Sequence, residues 1–573
     1  MTTDTELGTP VRPGTADPGG PAGPGALDEA STGTATGSAT ARATATAASP
    51  GTGTAVAAPA ADDPDPRRWW VLAVLALTQL MVVLDATIVS IALPQIQARL
   101  HVGDSSRQWV VTAYGLTFGG LLLLGGRVAD YWGRKRALIV AVLGFAAASA
   151  VGGFAVSPAM LFAARALQGA FGALLAPAVL SLLAVTFTRP KERATAFAVY
   201  GSIGAGGAAL GLVLGGVLTE YLDWRWCLLV NVPFSLVVVV LAAFLVRPSR
   251  VEGSPRYDVP GAVLVTAGLA GLVYGFTRAG QPGRGGWTSP VTLTVILGAL
   301  VLLAAFVLVE SRTAHPLMPL RIVADRLRGG ALLASLVLAA GFIGSTLFLT
   351  FYFQIVEHYS PVRAGFASLP LAGGIGLSAT VAAKLLPRFG VRTLGTVGGV
   401  VAMAGLGWTS LLRVRPSFLA FVLPGQLVLG LGLGFVFIPL SLAALERVAA
   451  ADSGVSSALL NATNQIGGSL GTALLNTVST TRAAATLGAL ALHGAPSGAQ
   501  TALALVTGYR HAFVWGTALV GVAVIVVATM LRPARPPRPP RGRHRAPAAR
   551  RDQPRRPGAT ASTAVGETVR PSS

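Results

Sequence analysis

The sequence predicts an all-α integral membrane protein: two six-helix bundles with two extra helices between them, about fourteen transmembrane spans in all. Three observations carry that expectation. Hydrophobic residues make up 52% of the 573 residues and charged residues only 12%, against about 25% charged in a soluble domain. So few charges cannot cover a water-facing surface, so lipid must solvate much of the chain. The apolar residues fall into runs of about 20, the length at which a helix crosses the hydrocarbon core. Basic residues gather in alternate loops, the mark of a multi-pass chain with a fixed orientation.

Taken in order, residues 1–66 are Ala, Thr, Gly and Pro with almost no large apolar side chains. Such a segment cannot bury enough surface to fold and reads as a disordered tail. It is no signal peptide, because the first apolar run starts near Trp69 and no small-residue cleavage site follows it. The spans then read 69–92, 108–126, 137–156, 160–185, 195–218 and 227–246 for the first bundle (67–248). Spans 259–277 and 290–309 occupy a linker (249–328). Spans 330–356, 364–386, 393–412, 418–440, 454–478 and 512–531 build the second bundle (329–531). The stretch 482–510 reads as a long Ala/Gly-rich outer loop. Residues 532–573 form a second disordered tail, dense in Arg and Pro from Arg532 to Arg556.

Clusters follow the even-numbered spans: Arg127, Arg134, Lys135 and Arg136; Arg189, Lys191 and Arg193; Arg247, Arg250 and Arg256; Arg312, Arg321, Arg326 and Arg328. The positive-inside rule makes that side cytoplasmic and both tails with it. The net charge of +21 therefore serves topology and the anionic lipid surface rather than nucleic acid. The single cysteine, Cys227, excludes an internal disulfide framework, and no cluster suggests a metal site. A weak internal repeat pairs RVADYWGRKRAL (127–138) with KLLPRFGVRTLG (384–395), Gly133 falling on Gly390 and Lys135 on Arg392. A duplicated half is common in transporters.

The chemistry concentrates in a few side chains. Asp85, in LDATIVSIALP, sits inside the first span; an acid at that depth must be protonated, paired or facing water. It reads as a proton site or as a hydrogen-bond anchor. Arg165 lies in the fourth span, in FAARALQGAFG. At 1.5 Å per residue Asp85 is about 12 Å and Arg165 about 8 Å from the outer surface, so the two can share a layer, as a working pair or a static one. A nearby guanidinium favours the carboxylate and burial favours the neutral acid, opposed pulls that suit a group which loads and releases a proton. Gln168, at i+3 from Arg165, completes a polar cluster. The loop after the second span, with Gly126, Arg127, Asp130, Gly133, Arg134, Lys135 and Arg136, serves topology or gating. Gly207, Gly211 and Gly215 recur every four residues with Gly216 beside them, a smooth face for close helix packing or for sliding between halves. Asn461, Asn464 and Gln465 in the thirteenth span face a substrate cavity or a neighbouring helix. Glu357, His358, Lys384 and Glu446 lie at span ends, where solvent explains them.

Together these stretches resemble the major facilitator superfamily, and within it the 14-helix drug/proton antiporter branch. LDATIVSIALP is similar to that branch's first-helix signature, GRVADYWGRKR to the superfamily's loop motif, and the Arg165-x-x-Gln168-Gly169 pattern to its fourth-helix motif. Gly207 to Gly216 resembles the fifth-helix antiporter motif, with Leu212 where the family usually has proline. WRWCLLVNVP, FYFQIVEHYSPVRAGFASLP and NATNQIGGSLGTAL are further marks, and the likeness covers most of 69–531. The tenth span lacks the acid that some divalent-cation exporters carry.

The resemblance implies a proton-coupled antiporter, in a bacterial plasma membrane, that exports small amphipathic compounds such as drugs, antibiotics or dyes. In that reading Asp85 carries the proton, Arg165 and Gln168 tune it, and the loop around Asp130 controls the transition. The gradient supplies energy without a cofactor, and the chain acts as a monomer. The alternative within the fold is a narrow-specificity metabolite exporter or a proton-driven importer. A membrane-embedded enzyme is excluded by residue placement, because none of the six histidines sits mid-span with a carboxylate at i±3 or i±4.

Overall fold

A helix in lipid satisfies every backbone group internally, and this chain is built accordingly. The computed structural model describes residues 66–250, 257–281, 286–313, 316–446, 453–492 and 495–531; most of both tails lies outside that set. Among the described residues twelve helices are long and apolar enough to cross a membrane. One of them, 361–409, is two spans: Gly390 at φ 74° and ψ 165° breaks it. The polar helix Ser453–Ala491 brings the total to fourteen.

The first bundle holds α1 (Arg68–Leu100), α2 (Trp109–Trp132), α3 (Arg134–Gly153), α4 (Pro158–Thr186), α5 (Pro190–Tyr221) and α6 (Trp226–Leu245). The extra pair is α7 (Val259–Ala279) and α8 (Pro290–Arg312). The second bundle holds α9 (Arg326–Val356), α10 (361–389), α11 (391–409), α12 (Phe418–Leu445), α13 (Ser453–Ala491) and α14 (Gly498–Met530). The helix starts follow local chemistry. Ser157 caps α4, Asp325 caps α9 and Ser497 caps α14, each accepting a backbone N–H of the first turn.

The expected outer loop 482–510 is corrected. α13 runs on to Ala491 and α14 starts at Gly498, so both helices project beyond their apolar cores. Hydropathy falls there, but the stretch is rich in Ala, Leu and Thr, and helix formation depends on propensity rather than on hydropathy.

The internal repeat has a structural counterpart. Gly133 and Gly390 both hold positive φ, 110° and 74°, where a side chain is disfavoured. Lys135 Nζ donates to the Ala243 carbonyl at 2.7 Å, near the end of α6, and Arg392 Nε donates to the Ala528 carbonyl at 2.7 Å, near the end of α14. Each bundle thus places a cation on the C-terminal carbonyls of its last helix, where the helix dipole favours it.

Candidate functional site

Asp85 faces inward from α1 and is fully buried. A carboxylate so placed needs several donors, and the fold supplies three. Arg165 NH1 donates to Oδ2 at 2.6 Å, Gln168 Nε2 to Oδ1 at 3.0 Å and Asn231 Nδ2 to Oδ1 at 2.8 Å. Arg165 is itself buried: its Nε donates to the Val110 carbonyl at 2.9 Å, and NH1 also reaches Gln168 Oε1 at 2.9 Å. Its guanidinium lies 4.6 Å from the centre of the Tyr114 ring, a cation–π contact strengthened by the burial of both side chains. Ser149 of α3 takes a second hydrogen bond from Gln168 at 2.6 Å. Five helices of the first bundle therefore converge on one acid.

The structure brings Asp85, Arg165 and Gln168 together and adds Asn231, Ser149 and Tyr114, which sequence reasoning did not single out. Asn231 had a readable signal: it is an amide inside the apolar run LLVNVP. Ser149 and Tyr114 had none, because hydroxyls are common in such helices.

The two bundles meet tightly at the end away from the basic loops. Gly216 packs on the backbone of Pro361 and Val362, and Gly365 on the backbone of Leu212, so that an added Cβ at either would clash. Gln354 Nε2 donates to the Ile91 carbonyl at 2.8 Å and Glu220 accepts the Val362 N–H at 2.8 Å. Arg107, buried, donates to Asn476 Oδ1 at 3.1 Å and lies 3.9 Å over the Phe351 ring. Asn476 donates in turn to Gln108 at 2.8 Å, and Gln108 donates to Thr277 of α7 at 2.9 Å. This buried network joins both bundles and the extra pair.

At the basic end the bundles part around a cavity of about 1080 Å³. Its walls come from α2, α4 and α5, from the facing ends of α12 and α13, and from the last turn of α8 with the segment after it, residues 310–321. Gly126, Arg127 and Asp130 line it. Arg127 donates to the Pro316 carbonyl at 3.5 Å; Asp130 accepts from Arg134 at 3.0 Å and from Ser181 at 3.2 Å. The Arg134 N–H donates to the Ser249 carbonyl at 2.9 Å, Gly133 turns the chain, and Arg136 is exposed. Of the helix-13 amides Asn461 lines the cavity, whereas Asn464 and Gln465 are not among its lining residues.

Of the two readings of the α5 glycine face, close packing is what three of its four glycines do. Gly207 packs on Leu80 and Val83, Gly211 on Thr87 and Gly215 on the backbone of Ile88. All three therefore seat α5 against α1, inside the first bundle, and Gly216 alone faces the other half. The four-residue spacing keeps one face on α1, and the next residue points a helical step away.

The model of the Major Facilitator Superfamily matches residues 75–472. The puromycin resistance protein pur8 of Streptomyces alboniger is 48% identical, with 79% of this chain and 89% of that protein covered. The cephamycin export protein CmcT of Amycolatopsis lactamdurans is 36% identical (79% and 90% covered), and the multidrug efflux pump LfrA of Mycolicibacterium smegmatis is 32% identical (74% and 83%). Among solved structures, a bacterial homologue of the human lysosomal transporter Spinster superposes with a TM-score of 0.59 at 15% identity, over 81% of this chain and 97% of that one.

Proposed function

The chain belongs to the major facilitator superfamily, and we propose that it exports small amphipathic compounds, antibiotics among them, across the plasma membrane in exchange for protons. The single observation that carries the reading is the buried Asp85, held by Arg165, Gln168 and Asn231. Intramembrane acids are expensive and mark proton relays. The names of the relatives, which speak of antibiotic resistance, export and multidrug efflux, support the cargo.

In this mechanism the basic end faces the cytoplasm and both tails lie on that side. The cavity, open there and closed at the other end, receives substrate from the cytoplasm or the inner leaflet. Its apolar walls, with Leu122, Leu123, Leu180 and Phe197, accept amphipathic bodies without narrow contacts. Protonation of Asp85 removes the charge that pairs Arg165. The guanidinium then rests on the Tyr114 face and the Val110 carbonyl, and the contacts binding α1 to α4 and α6 relax. Alternating access follows as one bundle rocks on the other. The loop from Gly126 to Arg136, tied to residues 316 and 249, restrains that motion at the cytoplasmic end. The α5 glycines let α5 and α1 move as one body. The proton gradient is the energy source, no cofactor enters, and a single chain suffices.

The test is dye uptake into everted vesicles with an acidified lumen, with wild type beside Asp85→Asn. Gradient-driven transport is expected in the wild type and absent in the variant. Undiminished gradient-driven transport by the variant removes Asp85 from the coupling role. Coverage of relatives named for one antibiotic alone favours, as a second reading, a cargo restricted to one compound class; competition among unrelated dyes separates the two.

A further inference from the structure

Glu310 stands at the last turn of α8, only 3% exposed, and lines the cavity. Its Oε2 accepts the Met318 N–H at 3.1 Å, and among the described residues its Oε1 has no hydrogen-bond partner. Asp258, which caps α7 through Oδ1, is also buried, and its Oδ2 has no hydrogen-bond partner among the described residues. It adds a second negative charge to the field at Glu310, and Arg127 is the basic group acting there. Arg127 is committed in part to the Pro316 carbonyl. Of the two carboxylates lining the cavity, Asp130 is already held by Arg134 and Ser181. Buried acceptors left without a donor are rare and call for an explanation. A carboxylate oxygen with spare capacity, a second acid beside it and an apolar chamber in front together suit one kind of visitor. It is a compound whose cationic N–H completes the carboxylate and whose apolar body lies along Leu122, Leu123 and Phe197.

We propose that Glu310 recognises the protonated amine of the transported compound at the cytoplasmic wall of the cavity, so that the substrates are preferentially amphipathic monocations. This rests on the export reading and narrows it. The role falls to the extra helix pair, which thereby selects cargo as well as joining the bundles.

The test is binding to the purified full chain in detergent, followed by dye fluorescence. The probes are 9-aminoacridine, a cation at neutral pH, and acridine, its largely uncharged parent of nearly the same shape. The wild type is expected to prefer 9-aminoacridine. Glu310→Gln, which keeps an acceptor for the Met318 N–H, should weaken 9-aminoacridine about tenfold or more and leave acridine within about twofold, whereas Glu310→Asp keeps the preference. Glu310→Ala is measured alongside, so that one variant still decides if the other does not fold. An unchanged 9-aminoacridine affinity, or an equal loss for both dyes, overturns the assignment and leaves export standing. A folded wild type that binds neither dye overturns the assignment and the amphipathic-export reading together.

Discussion

Arg107 is the clearest lever on the closed end of the molecule. Arg107→Met keeps an apolar stem of similar reach and removes the guanidinium. The loss has two parts. Asn476 Oδ1, buried between the bundles, loses the donor at 3.1 Å, and an orphaned buried acceptor costs about 1–3 kcal/mol. The contact 3.9 Å over Phe351 goes as well, at about 1–2 kcal/mol for a desolvated cation–π pair. The ion pair to Asp104 at 3.4 Å adds little, because Asp104 is largely exposed. The sealed end therefore loses about 2–5 kcal/mol, which moves its ratio to the open arrangement about 30- to 5,000-fold toward open. Those contacts bridge α2, α9 and α13, so the penalty falls on the closed arrangement and not on either bundle alone. Spin labels at Leu222→Cys and Leu411→Cys, exposed positions at the sealed ends of the two bundles, report the opening once the single Cys227 is replaced. Pulsed dipolar distances should gain a longer population in Arg107→Met while the melting temperature of the whole changes little. Identical distance distributions in the two proteins would refute the reasoning.

Two further outcomes follow from local geometry. At Gly211 an added Cβ lands against the Thr87 hydroxyl, so Gly211→Ala should destabilise the chain by about 1–3 kcal/mol. Thr87→Ala should recover most of it, and thermal melts that show no recovery would argue that α5 does not seat on α1 there. Asp325 caps α9, accepting the Arg328 N–H at 2.9 Å, and that bond, with the adjacent Arg328 charge, holds its carboxyl below the usual aspartate range. A depressed acid contributes stability that is present above the unfolded-state value and is lost as pH falls through the lower folded one. Asp325→Ala should therefore melt earlier than wild type at neutral pH by about 1 kcal/mol of capping. The difference should close in acid below the ordinary aspartate range; a gap that persists there would point to packing instead of the cap.

Much of the site was legible because charge is conspicuous in lipid. Asp85 and Arg165 each stand alone in an apolar run, and counting residues from the outer surface set them in one layer; the structure joins them at 2.6 Å. Asn231 and Ser149 complete the same cluster without charge: the Asn231 amide stands out only against its apolar run, and the Ser149 hydroxyl, which a helix backbone can satisfy locally, does not stand out at all. The cavity amides show the complementary limit. A polar stripe says that a face is not lipid-facing, and Asn461 lines the chamber while Asn464 and Gln465, on the same helix, are not among its lining residues.

From the sequence alone came the membrane class, the fourteen spans, the halves related by Gly133 and Gly390, and the acid with its arginine. All of these rest on local quantities: hydropathy, charge and spacing along one chain. Tertiary structure alone decided which end is sealed, and it set the α5 glycines against α1, with Gly216 facing the second bundle. It also placed Glu310 of the extra pair in the cavity wall. Those facts depend on which helix face meets which partner, and helical periodicity specifies the face but not the neighbour.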